Sequence, residues 1–260
     1  MKRILITNDD GVHSDGIHVL AAALAPLGEV TVVAPHVEAS AIGHALTLRR
    51  PLRMERLEDR VYEVDGTPTD CVNIALTQLF AASGATPDLV VSGINKGYNL
   101  GDDVTYSGTV SGALEGSLLG IASIAVSLER VRGKYDFRPS AAAAATLAAM
   151  VLRGGALEGR TFLNINVPSG KPKGFRLTVQ ARRNHVTIVD PRTDPRGQAY
   201  YWIEEGENDW EPHDRSDYQA VRDGYISVTP LQPDLTDYDA LARLESFALE
   251  NTPCDSPVPR

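Results

Sequence analysis

Strand-like and helix-like segments alternate along the first half of this chain, and that alternation limits the fold more than any other feature. Arg3–Thr7 is a short apolar run that reads as a strand. Asp15-Gly16 then opens a helical pattern from Ile17 to Leu24, closed by Pro26 and Gly28. Glu29–Ala34 reads as a buried strand stopped by Pro35, and Val61–Val64 as another before the Asp65-Gly66 turn. A helix over Cys71–Ala82 follows, with Thr69 or Asp70 as its cap. Asp88–Ser92 is a strand, Ser107-Gly108-Thr109 leads into a helix through Leu119, and Ile124–Ser127 continues the sheet. Strands separated by helices at this spacing predict parallel βαβ units and an α/β fold with a doubly wound sheet.

The character changes after Arg130. Ser140–Leu152 is an alanine-rich helix ended by Gly154-Gly155, and Phe162–Val167 returns as one more strand. Val186–Val189 and Gln198–Ile203 flank Asp190–Gly197 and read as a long hairpin, with Tyr200, Tyr201 and Trp202 on its second arm. Such aromatics suit a partner surface and ordinary packing equally well. Asp237–Leu249 is an amphipathic helix before a loose, proline-bearing tail from Asn251 to Arg260.

Ligands of open α/β sheets bind outside the carboxyl ends of the strands. At the first such end stands Asn8-Asp9-Asp10-Gly11. Asp-Gly is a favoured turn on backbone grounds alone. A buried strand before it, with no hairpin partner after it, favours a site. Two adjacent carboxylates repel a phosphate unless a divalent cation lies between them. The second strand delivers Pro35-His36-Val37-Glu38-Ala39-Ser40 to the same edge, and the Asp88–Ser92 strand delivers Gly93-Ile94-Asn95. Asp9, Asp10, Ser40 and Asn95 make an all-oxygen set suited to magnesium or manganese. Asn95 read alone is a loop residue bonding its own backbone.

Ser107-Gly108-Thr109 is either a plain helix cap or, through free N–H groups and two hydroxyls, an anion cradle. Lys96 offers a positive charge to that anion or lies in solvent. Asp102-Asp103 reads as a capping or solvated pair before it reads as a second metal site. His13 stands near the acid pair as a surface residue or a candidate proton carrier, and Tyr98 and Tyr106 either pack the loop or offer a stacking platform.

Composition removes several alternatives. A formal net charge of −9 argues against a nucleic-acid surface. Cys71 and Cys254 are the two cysteines, too few for a disulfide framework or a zinc spacing. Ile17 stands where a P-loop requires lysine, and neither G-x-G-x-x-G nor G-x-S-x-G occurs at a suitable place. With no apolar leader and no membrane-length apolar run, the expectation is a cytoplasmic protein with no membrane partner.

Taken together, Asn8-Asp9-Asp10-Gly11, Ser40, Gly66–Cys71, Ser92–Asn95, Asn99–Asp103, Tyr106–Val110 and Gly224–Leu231 resemble the SurE family. The resemblance implies a Rossmann-like, mostly parallel core over residues 1–130. Residues 131–260 complete it and supply hairpin and helix arms for a homodimer or homotetramer. It implies a metal-dependent phosphomonoesterase acting on nucleoside 5′- and 3′-monophosphates, and in some members on short polyphosphate. Asp9, Asp10, Ser40 and Asn95 match the metal ligands, with Asp9 and Asp10 catalytic; Asn99, Ser107, Gly108 and Thr109 match the phosphate contacts. The family's second-strand loop often reads Ala-Pro-Asp with a later Ser-Gly, whereas here His36 follows Pro35 and Ala41 follows Ser40.

Overall fold

In a computed structural model, the described residues are 1–154, 157–184, 187–205 and 209–245. Among them a nine-stranded sheet forms the centre of the molecule. Its strands are β1 (Arg3–Thr7), β2 (Glu29–Pro35), β3 (Met54–Glu58), β4 (Val61–Val64), β5 (Leu89–Lys96), β6 (Ser123–Leu128), β7 (Phe162–Val167), β8 (Phe175–Leu177) and β13 (Ile226–Leu231). They lie in the order β3-β4-β2-β1-β5-β6-β7-β13-β8. From β4 to β7 every neighbour pair is parallel, as predicted. β3 pairs antiparallel with β4 at one edge, and β13 antiparallel with β7 near the other.

The apolar runs alternate between two faces because strand side chains do. Ile4, Ile6, Val32, Ala34, Leu89 and Val91 pack toward α1 (Asp15–Leu24) and α4 (Arg138–Leu152). Leu5, Val33 and Val90 face the other way, against Cys71 and Val72 of α2 (Pro68–Ile74). The helix α3 (Gly108–Leu118) lies beside α2 and covers Ala125 and Phe162 with Val110 and Ala113. Its glycines recur every fourth residue and let it lie flat on the sheet. A Cβ on Gly112 would stand 2.8 Å from Thr7 and Ser92 side-chain atoms, and one on Gly116 would stand 2.4 Å from Ser123 Oγ.

Several local readings change. Thr67, not Thr69 or Asp70, caps α2; its hydroxyl accepts from the Asp70 amide while Asp70 Oδ2 accepts from the Thr67 amide. Pro68 fits at the first helical position because no N–H is needed there. The helix predicted over Cys71–Ala82 is α2 continued by a π-helical stretch, Ala75–Phe80, and a 3₁₀ turn, Ala81–Ser83. β3 was not foreseen, since Met54-Glu55-Arg56-Leu57-Glu58 carries the charge of an exposed edge.

Later, β9 (Arg183–Asn184) pairs with β12 (Asp209–Trp210), and α5 (Asp217–Arg222) precedes β13. The hairpin is β10 (Thr187–Thr193) with β11 (Ala199–Glu205), so Asp190–Thr193, read as loop, belong to its first arm. Tyr201, Trp202 and Ile203 are exposed on it. The last helix, α6 (Tyr238–Glu245), begins near the predicted Asp237. The expectations for Gly155, Val186, residues 246–249 and the tail lie outside the described residues. No described helix is long and apolar enough to cross a membrane.

Candidate metal centre and phosphate cradle

The connection after β1 leads through α1 to β2 on one side, while β5 lies on the other side of β1. This reversal is the switch point where such sheets open a crevice. Thr7 and Ser92 are partners in register there, so the residues following β1 and those ending β5 share one mouth.

Asp9 is buried, and its Oδ1 accepts a hydrogen bond from Thr109 Oγ1 at the start of α3. Gly108 permits this approach: a Cβ there would stand 2.8 Å from Asp9 Cβ and 3.0 Å from its Oδ2. Ser107 caps α3 by accepting from the Val110 amide at 3.1 Å. Asp10 has Lys96 Nζ at 3.8 Å from its Oδ1, while its buried Oδ2 has no hydrogen-bond partner among the described residues. Lys96 therefore faces Asp10 rather than lying free in solvent.

Burial pushes the Asp9 carboxyl up to about 6, with the Asp10 charge adding to the effect against the Thr109 hydrogen bond. Asp10 is raised too, by burial and by the charge of Glu38, against Lys96. These are acids whose ionised forms are short of positive charge. The orphaned Asp10 oxygen and the depleted solvation of Asp9 fit a divalent cation. Among the described residues no three His, Cys, Asp or Glu side chains gather into a cage. A cation here would thus complete its shell with neutral oxygens, which is the role assigned to Ser40 and Asn95.

The structure brings these two residues to the mouth unequally. Asn95 is half-buried and its Nδ2 donates to Gly97 O at 3.0 Å, which leaves its amide oxygen as the atom that could face a cation. Ser40 is exposed and its Oγ donates to Glu38 Oε1. The backbone anchors that loop to the site, since Ala39 N donates to Asp9 O at 2.8 Å. Glu38, the carboxylate beside Asp10, was not singled out in the sequence.

Asn99 sits deeper. Its side chain donates to Ser127 Oγ at 2.7 Å, its amide donates to Asn166 Oδ1, and its carbonyl accepts from both Asn164 and Asn166. These asparagines had a signal: two polar residues on one face of the otherwise apolar run Phe162–Val167. Asp103 binds Arg183 Nη1 at 2.7 Å, a structural use distinct from both the capping and the second-metal readings. His13 is exposed, 3.8 Å from Glu63, which His36 also meets at 2.8 Å. Tyr106 is exposed, whereas Tyr98 is half-buried, with its phenol raised by burial and by Glu129.

A model of the survival protein SurE family matches residues 4–187. The 5′-nucleotidase SurE of Syntrophotalea carbinolica is 50% identical over 247 residues, covering 95% of this chain and 97% of the relative. That of Geobacter sulfurreducens is 51% identical over 249 residues, covering 95% and 94%. The chain belongs to the SurE family. A solved SurE protein from Aquifex aeolicus has the same fold, with a TM-score of 0.83 and 42% identity over 95% of this chain and 99% of that one. SurE membership agrees with the doubly wound, mostly parallel α/β architecture described above.

The Asp9 shift has a consequence for stability. Its folded value, about 6, lies above the ordinary 3.8. Between those values the folded metal-free protein keeps a proton that the unfolded chain has lost, so stability falls as pH rises through this window, by at most about 1.4 kcal/mol per pH unit. Above it the deficit is constant. Thermal melts of metal-free protein should show this fall relative to Asp9→Asn. Manganese at neutral pH should raise the wild-type melting temperature and leave Asp9→Asn nearly unmoved.

Proposed function

We propose that this protein is a divalent-metal-dependent nucleotidase releasing phosphate from nucleoside 5′-monophosphates, with 3′-monophosphates and short polyphosphate as further substrates. The observation that carries the reading is the seating of Asp9 against the first turn of α3, with Asp10 Oδ2 buried beside it and without a partner among the described residues. Names shared by the SurE relatives support the nucleotidase part. Asp9, Asp10, Ser40 and Asn95 would hold magnesium or manganese. Bound there, the cation supplies charge neutralisation at phosphate and an acidified water.

The protein's own groups do the rest. A helix leaves its first amides without partners in its own ladder. Ser107 takes that of Val110 and the Asp9 carboxylate takes that of Thr109, which leaves the Gly108 amide for a phosphate oxygen, in the region where transition-state charge spreads. Thr109 fixes Asp9 in one orientation, and Lys96 opposes the burial that raises the Asp10 carboxyl. The Asn99 network holds the loop between β5 and α3 against β6 and β7. The apolar and aromatic side chains exposed on the β10–β11 hairpin support a homodimer or homotetramer built through this arm.

Phosphate release from a panel of nucleoside monophosphates and polyphosphate tests the reading, with magnesium or manganese present and then removed by EDTA. Metal-dependent turnover of the nucleotides is expected. Nucleotide binding without turnover would instead make the chain a nucleotide-binding regulator.

A further inference from the structure

Residues 36–53, between β2 and β3, form no helix or strand, yet they carry Ser40. Segments this long without structure of their own inside a compact domain are usually either functional or linkers, and this one is pinned rather than loose. Bonds to the helices hold the second half of this one. Gly43 N donates to Tyr106 O at 2.9 Å, Thr67 Oγ1 donates to Ala45 O at 2.7 Å, and Thr47 N donates to Asp70 Oδ1 at 2.9 Å. Between these lies a side-chain bond to α3, His44 Nε2 to Glu115 Oε2 at 2.6 Å.

Glu115 is an unusual residue in the small-residue helix Gly-Thr-Val-Ser-Gly-Ala-Leu-Glu-Gly-Ser-Leu. It is buried, and its other oxygen accepts from Asn73 Nδ2 of α2 at 2.5 Å. Burial raises its carboxyl, but the hydrogen bonds from His44 and Asn73 outweigh that and leave it below the usual range. The ionised carboxylate is thus a fixed post between two helices, and its bond to His44 is charge-assisted. The same α3 presents Ser107, Gly108 and Thr109, so the post and the cradle share one rigid element. Ile42, between Ser40 and His44, lies against Gly108, its Cγ2 3.2 Å from where a Cβ would be.

We infer that His44 is a positioning residue, fastening the β2–β3 loop to Glu115 so that Ser40 is held at the metal-binding mouth. The inference rests on the assignment of Ser40 as a ligand under the proposed function. Neither His44 nor Glu115 belongs to the residues proposed to hold the cation or the phosphate. Their effect is on how much disorder the loop must lose when the cation binds.

Calorimetric titration with manganese alone tests this on wild type, His44→Ala, His44→Gln, and His44→Ala combined with Ser40→Ala. His44→Ala should weaken manganese binding about 10- to 100-fold, the range seen for residues that orient ligands. His44→Gln, which keeps an N–H donor, should restore most of it, and Ser40→Ala should add little in the His44→Ala background. Tryptic cleavage after Arg49 should also quicken in His44→Ala, Arg50 being protected by Pro51. A lower melting temperature with wild-type manganese affinity would overturn the inference, because it would make the bond purely structural. If His44→Ala does not fold, Glu115→Gln replaces it: an intermediate loss of affinity supports the inference and wild-type affinity refutes it. Absence of binding by the wild type would instead defeat the metal assignment itself, and the inference with it.

Discussion

Asp10→Asn should lower kcat/KM for a nucleoside monophosphate by about 100- to 1,000-fold, the scale of losing a preorganised electrostatic contact at the reacting phosphate. Its stability should not fall with its activity. Asp10 carries a buried oxygen without a described partner, and its charge faces Asp9 and Glu38. Replacing the carboxylate with a carboxamide of the same shape removes that repulsion. The metal-free melting temperature should therefore hold or rise while turnover collapses, a separation common where a site stores unfavourable charge. Asp9→Asn should lose activity comparably. It keeps an oxygen for Thr109, so it too should fold. Steady-state phosphate release and thermal melts on the same preparations check both. Full activity of either variant at saturating magnesium would refute the site.

Gly108→Ala should be nearly as damaging, although it adds one methyl and removes no charge. The new carbon would stand 2.8 Å from Asp9 Cβ, closer than such atoms approach. Asp9 cannot retreat freely, because Thr109 holds its Oδ1 and the residue is buried. Either the carboxylate turns or α3 lifts, and a misplacement approaching 1 Å costs about 100-fold in rate. Gly108 is the first residue of α3, so the preference of roughly 1 kcal/mol for alanine over glycine in a helix interior does not offset the clash. The signature is a kcat loss out of proportion to the drop in the urea midpoint. A variant with wild-type kcat would show that α3 does not set the position of Asp9.

Much of this was legible before any coordinates. Arg3–Thr7, Val61–Val64 and Phe162–Val167 match observed strands to the residue, because short runs rich in β-branched and aromatic residues bounded by turn residues specify strands locally. Asp9 and Asp10 stood out because charge directly after such a run is costly without a use. What escaped notice was set by neighbours distant in sequence. β3 is a strand only because β4 pairs with it, and Thr67 caps α2 because the loop bond to Ala45 and the Asp70 carboxylate converge on it. Lys96 read equally well as solvated until the fold put it 3.8 Å from Asp10. His44 and Glu115, 71 positions apart, carried no joint signal at all.

The chain's local patterns thus determined the alternating layers, the sheet edge where chemistry gathers, and the acids placed on it. Periodicity and turn chemistry act over a few residues and are written in adjacent letters. The tertiary structure alone decided which side of β1 receives β5, how closely α3 approaches Asp9, and which buried partner fastens the Ser40 loop. Those outcomes depend on excluded volume and on desolvated charges meeting across the fold, which have no local spelling.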